Sequence, residues 1–321
     1  MMRNRATCVL LMAIVGLAVM LAGCSGGTPN QTPTPPAGGS PTETPSATDL
    51  GGRLLFSQFV EATHTFADSF TSRPDGSDIT TIPMPGPEGG ARWSRSGKEI
   101  AAMTVLADGR IGTAIISPDG KVLRVLKIPD ATLNLVATAW SWDDDRIAGE
   151  AWDDANPTRN GIYSVRASDG GDLQRLTTPP KGMHDLPGDY SPDGQFVFKR
   201  NPGDEGPGPL MLVDSSGGTP RTLYNGSMED PGRFAPDGRS VVSSENWHIK
   251  VINMAGKVLN DFTQDGAHLF GPAWSPDGAR IVFSMGTGGP FAELYTSLSD
   301  GTDRRQVTHT TENEIGVDWG P

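Results

Sequence analysis

Short apolar runs separated by turn-forming residues recur along the chain from about residue 50 to its end. The clearest example is the run Ile-Val-Phe at 281–283, which follows the turn Pro-Asp-Gly at 276–278. Apolar or alternating runs of this length, bounded by glycine-containing turns, are typical of β-strands. The pattern therefore predicts an all-β domain built from many short strands.

An aromatic residue precedes each of these turns and recurs at intervals of 40 to 50 residues. A period near 45 residues, filled with short strands and tight turns, is typical of a β-propeller with one blade per repeat. We expect these aromatic residues to pack between blades as core residues, because large rings dominate buried contacts. They are Trp93, Trp140, Tyr190, Phe234, Trp274 and Trp319.

A second series of turns alternates with the aromatic repeats, and most of its members read Asp-Gly. Asp-Gly between two strand-like runs is a strong hairpin signal, because glycine adopts the positive φ that the turn requires. Each repeat thus predicts two hairpins, with four antiparallel strands that we call A to D, starting from the aromatic residue on strand A. The second-series turns lie at 75–76, 119–120, 169–170, 217–218, 255–256 and 300–301.

The last repeat stops at residues 319–321 and has no strand B. Its missing partner is predicted at the other end of the chain, where residues 51–57 match residues 278–284. Pairing the two ends would remove exposed sheet edges. We therefore predict a six-bladed β-propeller with four antiparallel strands per blade, whose ring is closed by N-terminal strands that pair with the C-terminal strand.

The Ser-Pro-Asp-Gly repeats, clearest at 191–194 and 275–278, resemble the WD-like repeats of the TolB-type six-bladed β-propellers. The resemblance covers residues 51–321, although the repeats at Trp93 and Trp140 lack the proline. It implies a module that docks a protein or peptide. The motif itself specifies a blade and says little about function.

The N-terminal segment predicts export and lipid attachment. Residues 1–23 combine Arg3 and Arg5 with an apolar run and small residues, as a signal peptide does. Residues 21–24, Leu-Ala-Gly-Cys, resemble the lipobox of bacterial lipoproteins, which implies that Cys24 is acylated, with palmitate among its acyl chains, and anchors the mature chain. The alternative is an ordinary cleaved signal with an unrelated cysteine. Residues 24–49 are rich in Thr, Pro, Gly and Ser and predict a disordered tether, which leaves residues 50–321 for the propeller.

The net charge of −12 excludes some classes of partner. Removing residues 1–23 would take away two basic residues and no acidic one, so the mature chain would be more acidic still. Such a surface repels nucleic acid and anionic lipid, and we expect contact with the membrane only through the anchor. Loss of Cys8 would leave Cys24 as the one cysteine, which excludes disulfides and thiolate catalysis. We expect a monomer.

The candidate site lies on the face formed by the B–C and D–A loops, because long, irregular loops on a rigid scaffold usually carry binding residues. We call this the loop face, and the opposite face, formed by the A–B and C–D turns, the turn face. His184 and His268 each lie six residues before an aromatic anchor. Four acids lie five residues before theirs: Glu88, Asp185, Glu229 and Glu314.

If the blades superpose, these six side chains form a ring at the mouth of the central channel. Such a ring suits a divalent metal ion, a cationic peptide or a sugar. The alternative is that each is a solvated loop charge. Whether a metal ion binds is therefore left open, and the sequence implies no other cofactor.

No catalytic motif is present in the sequence: there is no Gly-x-Ser-x-Gly, no His-Glu-x-x-His and no glycine-rich phosphate loop. We assign no catalytic residue and leave open whether the protein is an enzyme. The favoured function is an anchored extracytoplasmic binding module for an envelope protein or peptide, on the cell surface or in the periplasm. One alternative is a propeller hydrolase or lyase that acts on a polysaccharide or small ester with a metal at the channel mouth. Another is a spacer without a ligand.

Overall fold

The computed structural model describes residues 50–60, 63, 65–87, 89–203, 206–286 and 291–321. The predicted signal peptide (1–23), the lipid attachment site Cys24, the tether (24–49) and Glu88 lie outside these residues. The described residues contain 24 β-strands and one short 3₁₀ helix, Pro157–Arg159.

The strands follow one another with short connections. The first twelve are β1 (Arg53–Val60), β2 (Thr65–Ser72), β3 (Thr80–Ile82), β4 (Arg92–Trp93), β5 (Ile100–Val105), β6 (Ile111–Ile116), β7 (Val122–Val125), β8 (Asn134–Trp140), β9 (Arg146–Trp152), β10 (Gly161–Arg166), β11 (Gln174–Arg175) and β12 (Met183–Tyr190). The others are β13 (Gln195–Pro202), β14 (Gly208–Asp214), β15 (Arg221–Met228), β16 (Arg233–Phe234), β17 (Ser240–Glu245), β18 (His248–Asn253), β19 (Val258–Phe262), β20 (His268–Trp274), β21 (Arg280–Gly286), β22 (Ala292–Leu298), β23 (Arg305–Gln306) and β24 (Asn313–Gly320).

The strands form antiparallel sheets, as the alternating turns predicted. Four sheets have four strands each: β24-β1-β2-β3, β4-β5-β6-β7, β8-β9-β10-β11 and β20-β21-β22-β23. The remaining eight strands, β12 to β19, form one larger sheet. The expectation of six separate four-stranded sheets is therefore corrected. The physical reason is a single bridge between Met228 and Glu245, which joins β15 to β17.

The first and last strands pair, which confirms that part of the sequence prediction. β1 and β24 are antiparallel, with Leu54 opposite Trp319 and Leu55 opposite Asp318. The innermost strands also contact one another in a cyclic order, β24 with β4, then β8, β12, β16, β20 and again β24. The two chain ends are thus held within one sheet.

The Ser-x-Asp-Gly turns owe their sequence to local hydrogen bonds. In the turn after β20, the Ser275 hydroxyl donates to the Asp277 carboxylate at 2.6 Å, and the N–H of Arg280 donates to the Ser275 hydroxyl at 2.9 Å. Gly278 has a φ of +70°, a conformation that side chains with a Cβ rarely adopt. The motif therefore stabilises the turn, which explains why it recurs once per repeat.

All six aromatic anchors are buried, which confirms them as core residues. They are between 2% and 9% exposed and lie at the ends of strand A. Five of them belong to a hydrophobic cluster shared with a neighbouring sheet; Trp140, for example, packs with residues of β6 as well as of its own sheet. The cluster of Phe234 lies within the eight-stranded sheet. Within the described residues, no helix has the length and apolarity needed to span a membrane.

Candidate functional site

The predicted channel-mouth residues lie mostly on strands. His184 and Asp185 belong to β12, His268 begins β20, and Glu314 is the second residue of β24. Of the five candidates that the structure describes, only Glu229 lies in a connection, directly after β15. The inner strands therefore begin earlier than their hydrophobic pattern indicated, because polar residues at their starts still pair with strand B. One such pair is His184 opposite Asn201.

His184 is held by a buried carboxylate. Its Nε2 lies 2.7 Å from Oε1 of Glu150, and the two residues are 6% and 9% exposed. Glu150 comes from β9, so the pair links two neighbouring sheets. A buried carboxylate needs such a partner, since an unpaired charge in the interior is costly. The contact is therefore well explained as a structural one.

Asp185 is held by an arginine. It is completely buried and accepts hydrogen bonds from Nε and Nη2 of Arg200 at 2.6 and 2.7 Å. The guanidinium of Arg200 also lies over the ring of Phe198, 5.4 Å from its centroid. A bidentate arginine–carboxylate pair satisfies both oxygens in a fixed geometry. Both carboxylate oxygens of Asp185 are therefore bound by Arg200.

Glu229 and His268 are brought together through Trp247. The imidazole of His268 stacks on the indole of Trp247, with centroids 4.3 Å apart and planes at 14°. Burial, followed by the neighbouring Asp230, raises the pKa of Glu229, and the backbone N–H of Trp247 partly offsets this rise by hydrogen bonding. The three residues Glu229, Trp247 and His268, which we call the Trp247 cluster, are all partly exposed.

The turn that carries Trp247 is strained. It is a two-residue hairpin turn between the paired residues Glu245 and His248, and both central residues have positive φ: Asn246 at +52° and Trp247 at +65°. Asparagine tolerates this conformation, whereas a bulky residue rarely adopts it and pays about 1–3 kcal/mol. This turn is a B–C connection, so it belongs to the loop face defined from the sequence, but sequence reasoning missed Trp247 itself. The signal was a tryptophan at a turn position where glycine is usual.

Polar groups beside the Trp247 cluster are connected across several strands. The Ser244 hydroxyl and the N–H of Gly271 donate to the carboxylate of Asp230 at 2.5 and 2.8 Å. The ammonium of Lys199 donates to the backbone carbonyl of Glu229 at 2.6 Å. Burial lowers the pKa of Lys199. These bonds fix the backbone beside the cluster, and the Glu229 carboxylate also accepts a hydrogen bond from the Ser244 hydroxyl at 3.4 Å.

Glu314 forms a separate set of contacts. It is completely buried, and its Oε1 accepts hydrogen bonds from Gln58 at 3.0 Å and Thr310 at 2.8 Å. Its Oε2 is buried without a hydrogen-bond partner. Burial raises the pKa of Glu314 to about 7, with further contributions from nearby Glu293 and Glu312. A neutral carboxylic acid is therefore the favoured state below neutral pH.

The described candidates thus do not gather around one point. Glu229 and His268 share a cluster, whereas His184, Asp185 and Glu314 each have other partners, and Glu88 is not described. Within the described ranges, no group of three or more His, Cys, Asp or Glu side chains is arranged to hold a metal ion.

A cavity of about 110 Å³ lies at the other end of the inner strands, on the turn face. The charged residues in its lining are Arg92, Arg95, Asp189, Arg233 and Asp318. All except Arg95 directly precede an aromatic anchor, and Arg95 follows Trp93 by two positions. Sequence reasoning missed them because it compared the repeats five and six residues before the anchors. The same comparison at the position directly before each anchor would have found all of them except Arg95.

The chain is similar in structure to several solved proteins. It matches TolB from Acinetobacter baumannii with a TM-score of 0.65 and 20% identity, over 85% of this chain and 67% of that one. A protein assigned as TolB from Agrobacterium tumefaciens matches with a TM-score of 0.57 and 14% identity, over 84% of this chain and 99% of that one. An oligogalacturonate lyase in complex with manganese matches with a TM-score of 0.52 and 15% identity, over 81% and 74% of the two chains.

No protein-family model matches the chain. At identities of 20% and below, the structural likeness defines the fold and leaves activity and ligands open. The sheets, the pairing of the two chain ends and these neighbours agree with one another. The chain therefore has an all-β propeller fold similar to that of TolB.

Proposed function

We propose that this protein docks an envelope protein or peptide through its loop face and channel mouth. The observation that carries the proposal is the Trp247 cluster: a partly exposed indole stacked on His268, on a strained turn, beside the Glu229 carboxylate. Backbone strain in native proteins concentrates at functional sites. Tryptophan is enriched where proteins bind one another, because it offers a large contact area with little entropy to lose.

The chemistry of the cluster favours a peptide with apolar and basic side chains. The indole and imidazole offer a flat apolar surface, and an aromatic face also attracts cations. Glu229 and the neighbouring Asp230 supply negative charge, in a chain whose overall charge is −12. Such a charge speeds the encounter with a basic partner.

A closed scaffold of six blades is part of this proposal. In this proposal the eight-stranded sheet counts as two blades, β12–β15 and β16–β19, and the ring is closed by β1 and β24. The cyclic contacts of the inner strands support the ring, as does the single bridge by which the two halves of the large sheet are joined. A rigid ring would hold the Trp247 cluster in place without help from a ligand.

The same proposal places the domain outside the cytoplasm on a lipid anchor. The Leu-Ala-Gly-Cys sequence at 21–24 supports acylation of Cys24 after removal of residues 1–23, with residues 24–49 as the tether. Membrane fractionation tests this part: the wild-type chain should sediment with membranes, and Cys24→Ala should be released. Equal membrane binding of the two would contradict the anchor. Sedimentation of the released form should give the mass of a monomer.

The alternative of a metal-dependent hydrolase or lyase has less support in this geometry. It needs His184 and His268 at one centre, but His184 contacts Glu150 and His268 stacks on Trp247. The similarity to a manganese-bound lyase concerns the fold. We therefore keep docking as the proposed function.

Affinity capture from envelope extracts tests the docking proposal, with the full chain in mild detergent as bait. Trp247→Asn removes the indole, and asparagine suits the positive φ of this turn. Leu123→Ser is the control, because Leu123 is 46% exposed on β7, at the outer edge of its sheet. We expect one partner to bind the wild type and Leu123→Ser but not Trp247→Asn. A partner that binds all three equally would refute docking at the Trp247 cluster.

A further inference from the structure

We infer that the cavity on the turn face binds a carboxylate group of an acidic ligand, such as an acidic side chain or a free chain terminus. This site lies at the opposite end of the channel from the Trp247 cluster. It does not depend on the docking proposed above. Four independent features of the cavity point to a small oxyanion.

The first feature is the balance of charge in the lining. Arg95 lies 2.5 Å from a carboxylate oxygen of Asp189, and Arg233 lies 3.1 Å from one of Asp318. Arg92 is the fifth charged residue. Among the described residues no carboxylate lies within ion-pair distance of it, and it donates only to the backbone carbonyl of Gly188. Three guanidinium groups thus face two carboxylates, which leaves one positive charge for a monoanion to balance.

The excess of positive charge also affects the pKa of Arg92. Burial lowers the pKa of Arg92 to about 9, and the neighbouring positive charges of Arg233 and Arg95 contribute to the decrease. The carboxylates of Asp189 and Asp318 act in the opposite direction without cancelling it. A bound anion would favour the charged form, as any opposite charge nearby does.

The second feature is a set of unused hydrogen-bond donors. Four nitrogen atoms of lining residues are buried without a partner: Nε of Arg92, Nε of Arg95, Nε1 of Trp93 and Nε1 of Trp274. All four are N–H donors, and no acceptor atom of a lining residue is buried without a partner. Buried donors usually have partners, so an excess of one kind calls for a ligand of the opposite kind. A carboxylate is acceptor-only.

The third feature is size and access. At about 30 Å³ per water molecule, a cavity of 110 Å³ holds about four waters, which is room for a carboxylate and a short stem. Its rim includes the exposed residues Pro276 and Pro321 and the partly exposed Arg95 and Trp142. The cavity is therefore open to solvent at the turn face.

The fourth feature is selectivity. Guanidinium groups bind carboxylates in a planar, bidentate geometry. Arg95 already lies over the ring of Trp142, 4.6 Å from its centroid, so its orientation is fixed before a ligand arrives. The net charge of −12 disfavours nucleic acids and other polyanions. A single carboxylate matches the planar guanidinium geometry and carries only one negative charge.

Tryptophan fluorescence reports on this cavity, because five of the seven tryptophans line it. The full chain in mild detergent is titrated with sodium acetate and with sodium phosphate, against sodium chloride of the same ionic strength. We expect a saturable change with acetate and a weaker one with phosphate. Saturation by N-acetylalanine would point to a chain terminus. N-acetylaspartic acid diamide has no free carboxylate and is the uncharged control, so it should give no saturable change, and saturation by it would contradict a carboxylate site.

The matched variants are Arg92→Gln and Arg239→Gln. Arg239 is an exposed arginine in the turn between β16 and β17, so its loss changes the net charge equally. Arg92→Gln should weaken acetate binding at least tenfold, as expected for a hydrogen bond to a charged group, and Arg239→Gln should leave it unchanged. If Arg92→Gln does not fold, Arg92→Lys keeps the charge, and its acetate affinity should fall between those of the wild type and the chloride baseline. No saturable change with acetate, equal weakening by both Gln variants, or tighter binding of phosphate would each overturn the carboxylate site.

Discussion

The indole Nε1 of Trp319 donates a 3.0 Å hydrogen bond to the backbone carbonyl of Gly51, although 268 residues separate the two in sequence. Their strands pair as well, with Leu54 opposite Trp319. Both Leu54 and Trp319 are buried in the same hydrophobic cluster. The two ends of the domain are thus joined by packing, strand pairing and a side-chain hydrogen bond.

Removing residues 317–321 should therefore destabilise the whole domain. The deletion exposes one side of β1 and removes the buried side chains of Val317 and Trp319, a loss of several kcal/mol by analogy with large core truncations. We expect thermal melting to begin at least about 10 °C lower. A chain that lacks only the exposed Pro321 is the control. Equal melting temperatures for the two shortened chains would contradict closure through β24.

The Asp185–Arg200 pair should behave as a structural ion pair. Arg200→Leu leaves a buried carboxylate without a partner and should reduce the free energy of unfolding by about 3–5 kcal/mol. The double variant Asp185→Leu/Arg200→Leu should recover most of that loss, because no charge is left buried. Denaturant unfolding measures both, and Arg221→Leu, at an exposed arginine on β15, is the control. A single variant as mild as the control would show that the pair carries little stability.

Glu314 should make stability depend on pH in a defined direction. The folded protein keeps this proton up to about pH 7, whereas the unfolded chain loses it near pH 4.5. Between these values the folded state binds more protons, so the free energy of unfolding falls as pH rises, by about 3 kcal/mol in total. Glu314→Gln should remove this loss, and Asp265→Asn, at an exposed position, should not. Parallel pH profiles for wild type and Glu314→Gln would contradict the raised pKa.

Divalent metal ions should not bind at the predicted ring. His184 is engaged by Glu150, and the ring of His268 is covered by Trp247. Calorimetric titration of the wild type with Mn²⁺ or Zn²⁺ should give no saturable heat, and His184→Ala/His268→Ala should behave in the same way. A saturable heat that the double variant loses would favour the enzyme alternative.

The sequence was most informative where a physical constraint repeats. Trp93, Trp274 and the other anchors recur because every blade must bury a ring at the same place, and the match of residues 51–57 to 278–284 predicted the pairing of β1 with β24 correctly. The number of separate sheets was less predictable, because the bridge between Met228 and Glu245 depends on how far β15 extends.

The candidate site was harder to predict than the fold. Distance from an anchor indicates which end of the channel a residue occupies, but not its partner. The partners of His184 and Asp185 are Glu150 and Arg200. Both partners come from other strands, and no local sequence pattern indicates such contacts. Trp247 was missed although a tryptophan at a usual glycine position was a signal, because the strain itself is visible only in the backbone angles.

Site-specific photo-crosslinking in living cells tests the central claim, docking at the loop face, most directly. Thr263 is exposed, and its hydroxyl lies 3.5 Å from the backbone carbonyl of Trp247, so a photoreactive residue there reports on the cluster without replacing it. The same residue at Leu123, on the outer strand β7, is the control. We predict one discrete crosslinked product at position 263, absent at 123 and lost when Trp247→Asn is added. The same products at both positions, or a product at 263 that survives Trp247→Asn, would contradict docking through the Trp247 cluster.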